Sequence, residues 1–216
     1  MTMRTFAPAI ERIRGEQILA VVRAGNPRAA VETAKALGAG GVRAIEITFT
    51  TPDAERAIER LRRDHDDLFV GAGTVRTVPQ AEAAIAAGSE FLVSPGIAFD
   101  VLAVARREGV VAIPGALTPT ELDAASEWSD VVKLFPASLG GPSYLKALRG
   151  PFPDLNLIPT GGVSVSNLDE WRGAGAFALG AGGDLCPPAV IAAGEFDELT
   201  RRAAAYREAL DRKAAA

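Results

Sequence analysis

The sequence predicts an α/β fold: one (β/α)8 barrel with a short N-terminal helix, forming a single domain over residues 1–216. Three observations carry that expectation. Short apolar runs recur eight times, at Ile18–Arg23, Val42–Thr48, Leu68–Gly71, Glu90–Val93, Val110–Ile113, Asp130–Leu134, Leu155–Pro159 and Ala176–Leu179, about 20 to 26 residues apart. Helical patterns fill the gaps, and strands alternating with helices build parallel sheets. No linker divides the 216 residues, 48% of them hydrophobic, which suits one well-buried domain. A doubly wound open sheet is the runner-up. It is weakened because no GxGxxG follows the first run and no GxxxxGK[ST] occurs.

In chain order, residues 5–15 read as an amphipathic helix stopped at Gly15. After the first strand, Asn26 and Pro27 offer a cap followed by a first-turn proline, and Thr51 with Pro52 offers the same after the second. Thr77 with Gln80, and Thr118 with Glu121, each match a capping box, in which a hydroxyl and a carboxyl or amide three residues apart satisfy free helix-end amides. Gly38, Gly88, Gly109 and Gly173 stand where helices should stop. Phe196–Arg212 reads as the last helix, with Lys213–Ala216 as a frayed tail.

Composition excludes several kinds of chemistry. The net charge is −4, which does not suggest a nucleic-acid or anionic-membrane partner. Charges come too early for a secretory leader, and no run approaches the ~18 apolar residues of a membrane span. Cys186 is the only cysteine, so no intrachain disulfide forms and a reducing cytoplasm is the default. His65 is the only histidine, inside a charged loop-like stretch. One histidine and one cysteine do not make a zinc site, and a Ser-His or Cys-His mechanism would need His65 in an unpromising place. The chemistry must rest on lysine, carboxylates, hydroxyls and backbone amides.

The four lysines are Lys35, Lys133, Lys146 and Lys213, and only Lys133 lies in a β-branched apolar run. Burial strips water from an ammonium and favours the neutral, nucleophilic amine. Lys133 is therefore a candidate Schiff-base residue, with a structural ion pair as the alternative. In a barrel, alternation decides which side chains enter the interior, and catalytic groups lie at the C-terminal ends of strands. Apolar Ile45 and Ile47 belong on the helix side, which turns Glu46 inward; Val132 and Leu134 likewise turn Lys133 inward. Glu46 and Lys133 should meet in one interior layer, where a carboxylate can move the protons of Schiff-base chemistry or form a mute ion pair.

Two glycine-rich loops follow the seventh and eighth runs, Thr160-Gly161-Gly162 and Gly182-Gly183-Asp184. Loops in these two positions commonly bind phosphate in barrels, because glycine lets backbone N–H groups approach an anion. The glycines also serve as plain turns, and a carboxylate at Asp184 opposes an anion unless it points away. Thr74, at the end of the third run, offers a hydroxyl for a substrate carboxylate, or a simple turn. Arg23, at the end of the first run, is a cation near the mouth, or a surface arginine.

The blocks Glu46–Phe49, Gly71–Val75, Ser94–Gly96, Ile113–Gly115 with Thr118–Glu121, Lys133–Ala137, Gly150–Pro153 and Pro159–Gly162 occur in this order. Together they resemble the KDPG/KHG aldolases, which act on 2-dehydro-3-deoxy-phosphogluconate and 4-hydroxy-2-oxoglutarate. The resemblance runs from about Ile18 to Leu210. It implies a class I aldolase, usually a homotrimer, that needs no metal or organic cofactor and acts on a small 2-keto acid. It makes Lys133 the Schiff-base lysine and Glu46 the general acid/base. Thr74 and Thr160 would contact the pyruvate moiety and substrate, with Pro95 and Phe135 of the matching blocks in the substrate-binding set. Gly161 and Gly162 would begin the phosphate site, with Gly182 and Gly183 across from them.

The expected reaction splits 2-dehydro-3-deoxy-6-phosphogluconate into pyruvate and glyceraldehyde 3-phosphate. The alternatives are the 4-hydroxy-2-oxoglutarate or 2-dehydro-3-deoxy-6-phosphogalactonate reaction, a barrel that only binds a phosphorylated or carboxylated metabolite, and an isomerase using Glu46 as base. Two departures from the family pattern stand out. Thr50 replaces an arginine that helps many members hold the pyruvate carboxylate, and Gly183-Asp184 replaces the family's phosphate-binding serine.

Overall fold

A computed structural model of the chain describes residues 6–212. The fold is α/β with a curled parallel sheet wrapped by helices. The strands are β1 (Ile18–Val22), β2 (Ala44–Thr48), β3 (Phe69–Gly73), β4 (Phe91–Val93), β5 (Val111–Ile113), β6 (Gly115–Ala116), β7 (Val131–Leu134), β8 (Asn156–Pro159) and β9 (Leu179–Ala181). They form a six-stranded sheet, in the order β5-β4-β3-β2-β1-β9, and a three-stranded sheet, in the order β6-β7-β8.

The fifth predicted run, Val110–Ile113, is β5; past Pro114, which has no N–H to give a neighbour, a further short strand, β6, joins the other sheet. The Pro114 carbonyl still accepts from Lys133 N at 2.9 Å, just before the Gly115–Lys133 pairing begins. On the other flank, β8 meets β9 through a single bridge between Thr160 and Gly180 and a 2.9 Å bond from Phe177 N to Leu157 O. The eighth run is displaced: the strand is Leu179–Ala181 rather than Ala176–Leu179, so Gly180 and Ala181 are strand and not loop.

Ten helices lie among the described residues: α1 (Ala7–Glu16), α2 (Pro27–Ala39), α3 (Ala54–Asp64), α4 (Val78–Ala86), α5 (Phe99–Glu108), α6 (Pro119–Ser126), α7 (Gly141–Leu148), α8 (Leu168–Gly173), α9 (Pro188–Ala193) and α10 (Phe196–Asp211). Asn26 caps α2 by accepting from Ala29 N at 2.9 Å. Thr118 and Glu121 form the full reciprocal box on α6. Thr77 caps α4, but the Gln80 side chain accepts from Arg76 N rather than from Thr77, so that box is half formed. Thr51 caps nothing: its hydroxyl accepts from Ala24 N, and α3 starts later, at Ala54. Gly15 and Gly38 lie one residue inside the ends of their helices, whereas Gly173 is the last residue of α8, and Gly88 and Gly109 stand just past α4 and α5 as expected. The expected tail, Lys213–Ala216, lies outside the described residues.

Side-chain alternation separates two apolar clusters. Leu19, Ala44, Phe69, Phe91, Val93, Val111, Ile113, Val131, Ile158 and Ala178 pack inside the curl. Ile18, Ala20, Val22, Ile45, Ile47, Val132 and Leu134 pack outward against the helices. From α1, Ile13 enters the inner cluster and is fully buried. Burying one isoleucine contributes about 2 kcal/mol. The stacking of Arg12 on Phe69 and Arg14 on Phe177 adds about 0.5–1 kcal/mol each. Ile13 is thus the main anchor of α1.

Candidate active site

Lys133 sits on β7 with its side chain 6% exposed, and Glu46 on β2 with 2%. Lys133 Nζ lies 3.7 Å from Glu46 Oε1, and that oxygen has no hydrogen-bond partner among the described residues. A buried acceptor left without a donor costs about 1–3 kcal/mol, so such groups need an explanation in function or in a bound group. The inward parity read from Ile45, Ile47, Val132 and Leu134 holds. It brings the two ionisable groups together across the interior rather than on one edge.

Glycines make this arrangement possible. A Cβ on Gly73 would overlap the Glu46 carboxyl, and a Cβ on Gly115 would overlap the Pro95 carbonyl. A Cβ on Gly180 would overlap the Thr160 hydroxyl. Gly73→Ala is therefore expected to push the Glu46 carboxyl out of place and lower kcat by roughly 10²-fold. Overpacking should also cost about 1–3 kcal/mol of stability, which steady-state kinetics and thermal melting measured side by side would separate.

A narrow cleft, with room for about one water molecule, is lined by Leu19, Glu46, Val93, Ile113, Lys133, Ile158, Thr160 and Gly180. Thr160 follows β8 and is 8% exposed. Thr74 follows β3 with φ +56°, a left-handed conformation rare for a β-branched residue. Strain of this kind costs about 1–3 kcal/mol and clusters at functional sites. Phe135 is half-buried, with its ring centroid 5.2 Å from Lys133 Nζ, and a cis peptide joins it to Pro136. Pro95 is half-buried after β4.

The remaining predicted residues lie around the rim. Gly161 and Gly162 are left-handed, at φ +93° and +78°. Asn167 pins their loop: its side chain accepts from Ser164 N at 2.9 Å and donates to Gly162 O at 2.8 Å. Gly182 is half-buried and Gly183 exposed. Arg23 is exposed and outside the cleft; its Nη1 would lie 3.9 Å from a Cβ on Gly182, which sets it on the glycine-loop side. Thr50 is exposed, its hydroxyl 2.8 Å from that of Thr48, which also donates to Val22 O at 3.0 Å. Asp184 is exposed but held: its Oδ2 accepts from Tyr206 Oη at 2.7 Å and from Val165 N at 3.3 Å. Cys186 is buried and donates to Val21 O at 3.2 Å. Burial pushes its thiol up to about 12, so it offers no competing thiolate. His65 lies at the far end of α3 and takes no part.

The sequence reading missed the apolar walls Leu19, Val93, Ile113 and Ile158 and the clearance glycines Gly73, Gly115 and Gly180. The walls carried a signal, since each has the inward parity of its strand. The glycines did not, because what they clear is distant in sequence.

The KDPG and KHG aldolase family model matches residues 9–202. The chain belongs to that family. A 2-dehydro-3-deoxy-phosphogluconate aldolase of Treponema pallidum is 42% identical over 201 residues, 92% of this chain and 94% of that one. The enzyme of the same description from Pseudomonas aeruginosa is 37% identical over 92% and 90% of the two chains. Among solved structures, a KDPG aldolase from Legionella pneumophila, with pyruvate captured at low pH as a covalent carbinolamine, superposes with a TM-score of 0.85 at 30% identity, covering 91% of this chain and 97% of that one. In an aldolase, a carbon–carbon lyase, a buried amine beside a carboxylate is the equipment that Schiff-base chemistry needs.

Proposed function

We propose that this chain is a class I aldolase cleaving 2-dehydro-3-deoxy-6-phosphogluconate to pyruvate and glyceraldehyde 3-phosphate. The observation that carries the reading is the 3.7 Å approach of Lys133 Nζ to an otherwise unpartnered Glu46 oxygen inside the curl. In this reading the two sheets act as one closed (β/α)8 barrel, supported by the Pro114–Lys133 and Thr160–Gly180 contacts at its two seams.

The amine of Lys133 attacks the C2 ketone to give a carbinolamine, and Glu46 supplies the proton on which water leaves. The resulting iminium draws the electrons of the C3–C4 bond as that bond breaks, while Glu46, directly or through the water for which the cleft has room, takes the C4 hydroxyl proton. The aldehyde departs, the enamine is protonated at C3, and water releases pyruvate from Lys133. Thr74 and Thr160 hold the pyruvate part, with Pro95 and Phe135 beside it. Gly161, Gly162, Gly182 and Gly183 hold the phosphate. Because Arg23 stands beside Gly182, it serves that phosphate end rather than the keto-acid carboxylate. A homotrimer and a cytoplasmic location belong to the same proposal; the family resemblance supports the first and the single cysteine the second.

The test is a steady-state comparison of 2-dehydro-3-deoxy-6-phosphogluconate, its galactonate epimer and 4-hydroxy-2-oxoglutarate, with pyruvate measured as product. The first should have the highest kcat/KM, by about tenfold or more. A higher value for either competitor would reassign the substrate, and no pyruvate from any of them would refute the aldolase.

A further inference from the structure

Asp184 ties together three parts of the chain that are distant in sequence. Its Oδ2 accepts from Tyr206 Oη at 2.7 Å and from Val165 N at 3.3 Å, and its carbonyl accepts from Arg202 Nη1 at 2.8 Å. Tyr206, on α10, is 1% exposed, and its hydroxyl also lies 3.5 Å from Val163 O. One carboxylate oxygen therefore joins the loop after β9 to the loop after β8 and locks both to a buried helix residue. Burial and the neighbouring carboxylate push the Tyr206 hydroxyl well above its ordinary value, which keeps it a donor at neutral pH.

These are the two glycine loops. The amides of Gly162 and Val163 in one, and of Gly183 in the other, donate to no acceptor among the described residues. Amides on two loops bind one anion together only if the loops keep a fixed separation, since each hydrogen bond holds donor and acceptor at about 3 Å. The family serine is missing here, so more of the binding falls on the backbone and on that separation.

We propose that Asp184 and Tyr206 form a clasp that fixes the spacing of the two glycine loops, making both of them positioning residues for the phosphate end of the substrate. The proposal rests on the phosphorylated-substrate reading above. Tyr206 and Val165 hold the Asp184 carboxylate in one place, so in this proposal its effect is to set the spacing of the loops.

The experiment compares wild type, Tyr206→Phe, Asp184→Ala and Asp184→Asn on 2-dehydro-3-deoxy-6-phosphogluconate and on the same acid without phosphate. Competition by inorganic phosphate and borohydride trapping with pyruvate are measured alongside. Tyr206→Phe and Asp184→Ala should each lower kcat/KM for the phosphorylated acid by about tenfold, mostly through KM, and weaken phosphate inhibition to match. The unphosphorylated acid should change by less than about twofold, because it makes no use of the slot. Asp184→Asn keeps an acceptor for Tyr206 and should stay within about threefold of wild type on both substrates. Equal losses on the two substrates would reduce the pair to a structural role and overturn the proposal. So would tighter phosphate binding in Asp184→Asn, which would make the carboxylate a repelling charge. Should Asp184→Ala fail to fold, Tyr206→Phe alone decides. A wild-type chain that forms no borohydride adduct with pyruvate would instead sink the aldolase reading, an outcome distinct from failure of the clasp.

Discussion

Lys133→Ala is expected to lower kcat for aldol cleavage by a factor on the order of 10⁵, the loss typical of removing a covalent nucleophile. No second amine stands in among the described residues. Lys35 is exposed on α2 and paired with Glu32 at 2.9 Å, and Lys146 is exposed on α7. Lys133→Arg should be nearly as damaging. A guanidinium beside Glu46 does not add to a ketone, because it stays protonated. Removing one partner of a buried pair also costs about 3–5 kcal/mol, so the alanine variant will be less stable and activity must be referred to the folded fraction. Mass spectrometry after borohydride reduction with pyruvate gives the direct readout: wild type gains a pyruvate-derived mass on Lys133, and neither variant does. An arginine variant keeping more than about a hundredth of wild-type activity would remove covalent catalysis from the account.

Glu46→Gln should lower kcat by about 10²–10⁴-fold with a smaller change in KM, since a positioned proton carrier acts in the steps and not in binding. The amide keeps the shape that Gly73 accommodates, so this variant tests proton transfer without new overlap. The Lys133 adduct should still form with pyruvate, more slowly, because the amine remains. Pre-steady-state trapping measures that rate. Wild-type turnover in Glu46→Gln would move the proton carrier elsewhere, and Thr160, in the same cleft, would be the first place to look.

The inner layer was legible in the sequence because alternation is a local property. Ile45 and Ile47 announce the parity of Glu46, and Val132 and Leu134 that of Lys133. Glycine-rich loops and helix caps are similarly local, and Asn26, Thr118 and Glu121 behave as their spacing says. Where a side chain is claimed by a distant partner, local reading fails. Thr51 looks like a cap until Ala24, from the preceding strand end, takes its hydroxyl. Asp184 reads as an isolated loop carboxylate until Tyr206 and Val165 engage it. The fifth run ends at Ile113 in the sequence, yet past Pro114 the chain forms a second short strand in the other sheet, which pairs with β7 further along the chain.

The packing of Ile13 against the inner cluster has a kinetic consequence. With one end of the interior stoppered by a helix, reactants and products share a single doorway. On the proposed mechanism, pyruvate bonded to Lys133 is the inner product and the aldehyde the outer one. That mechanism then requires sequential traffic: the aldehyde leaves first in cleavage, and pyruvate loads first when the bond is made.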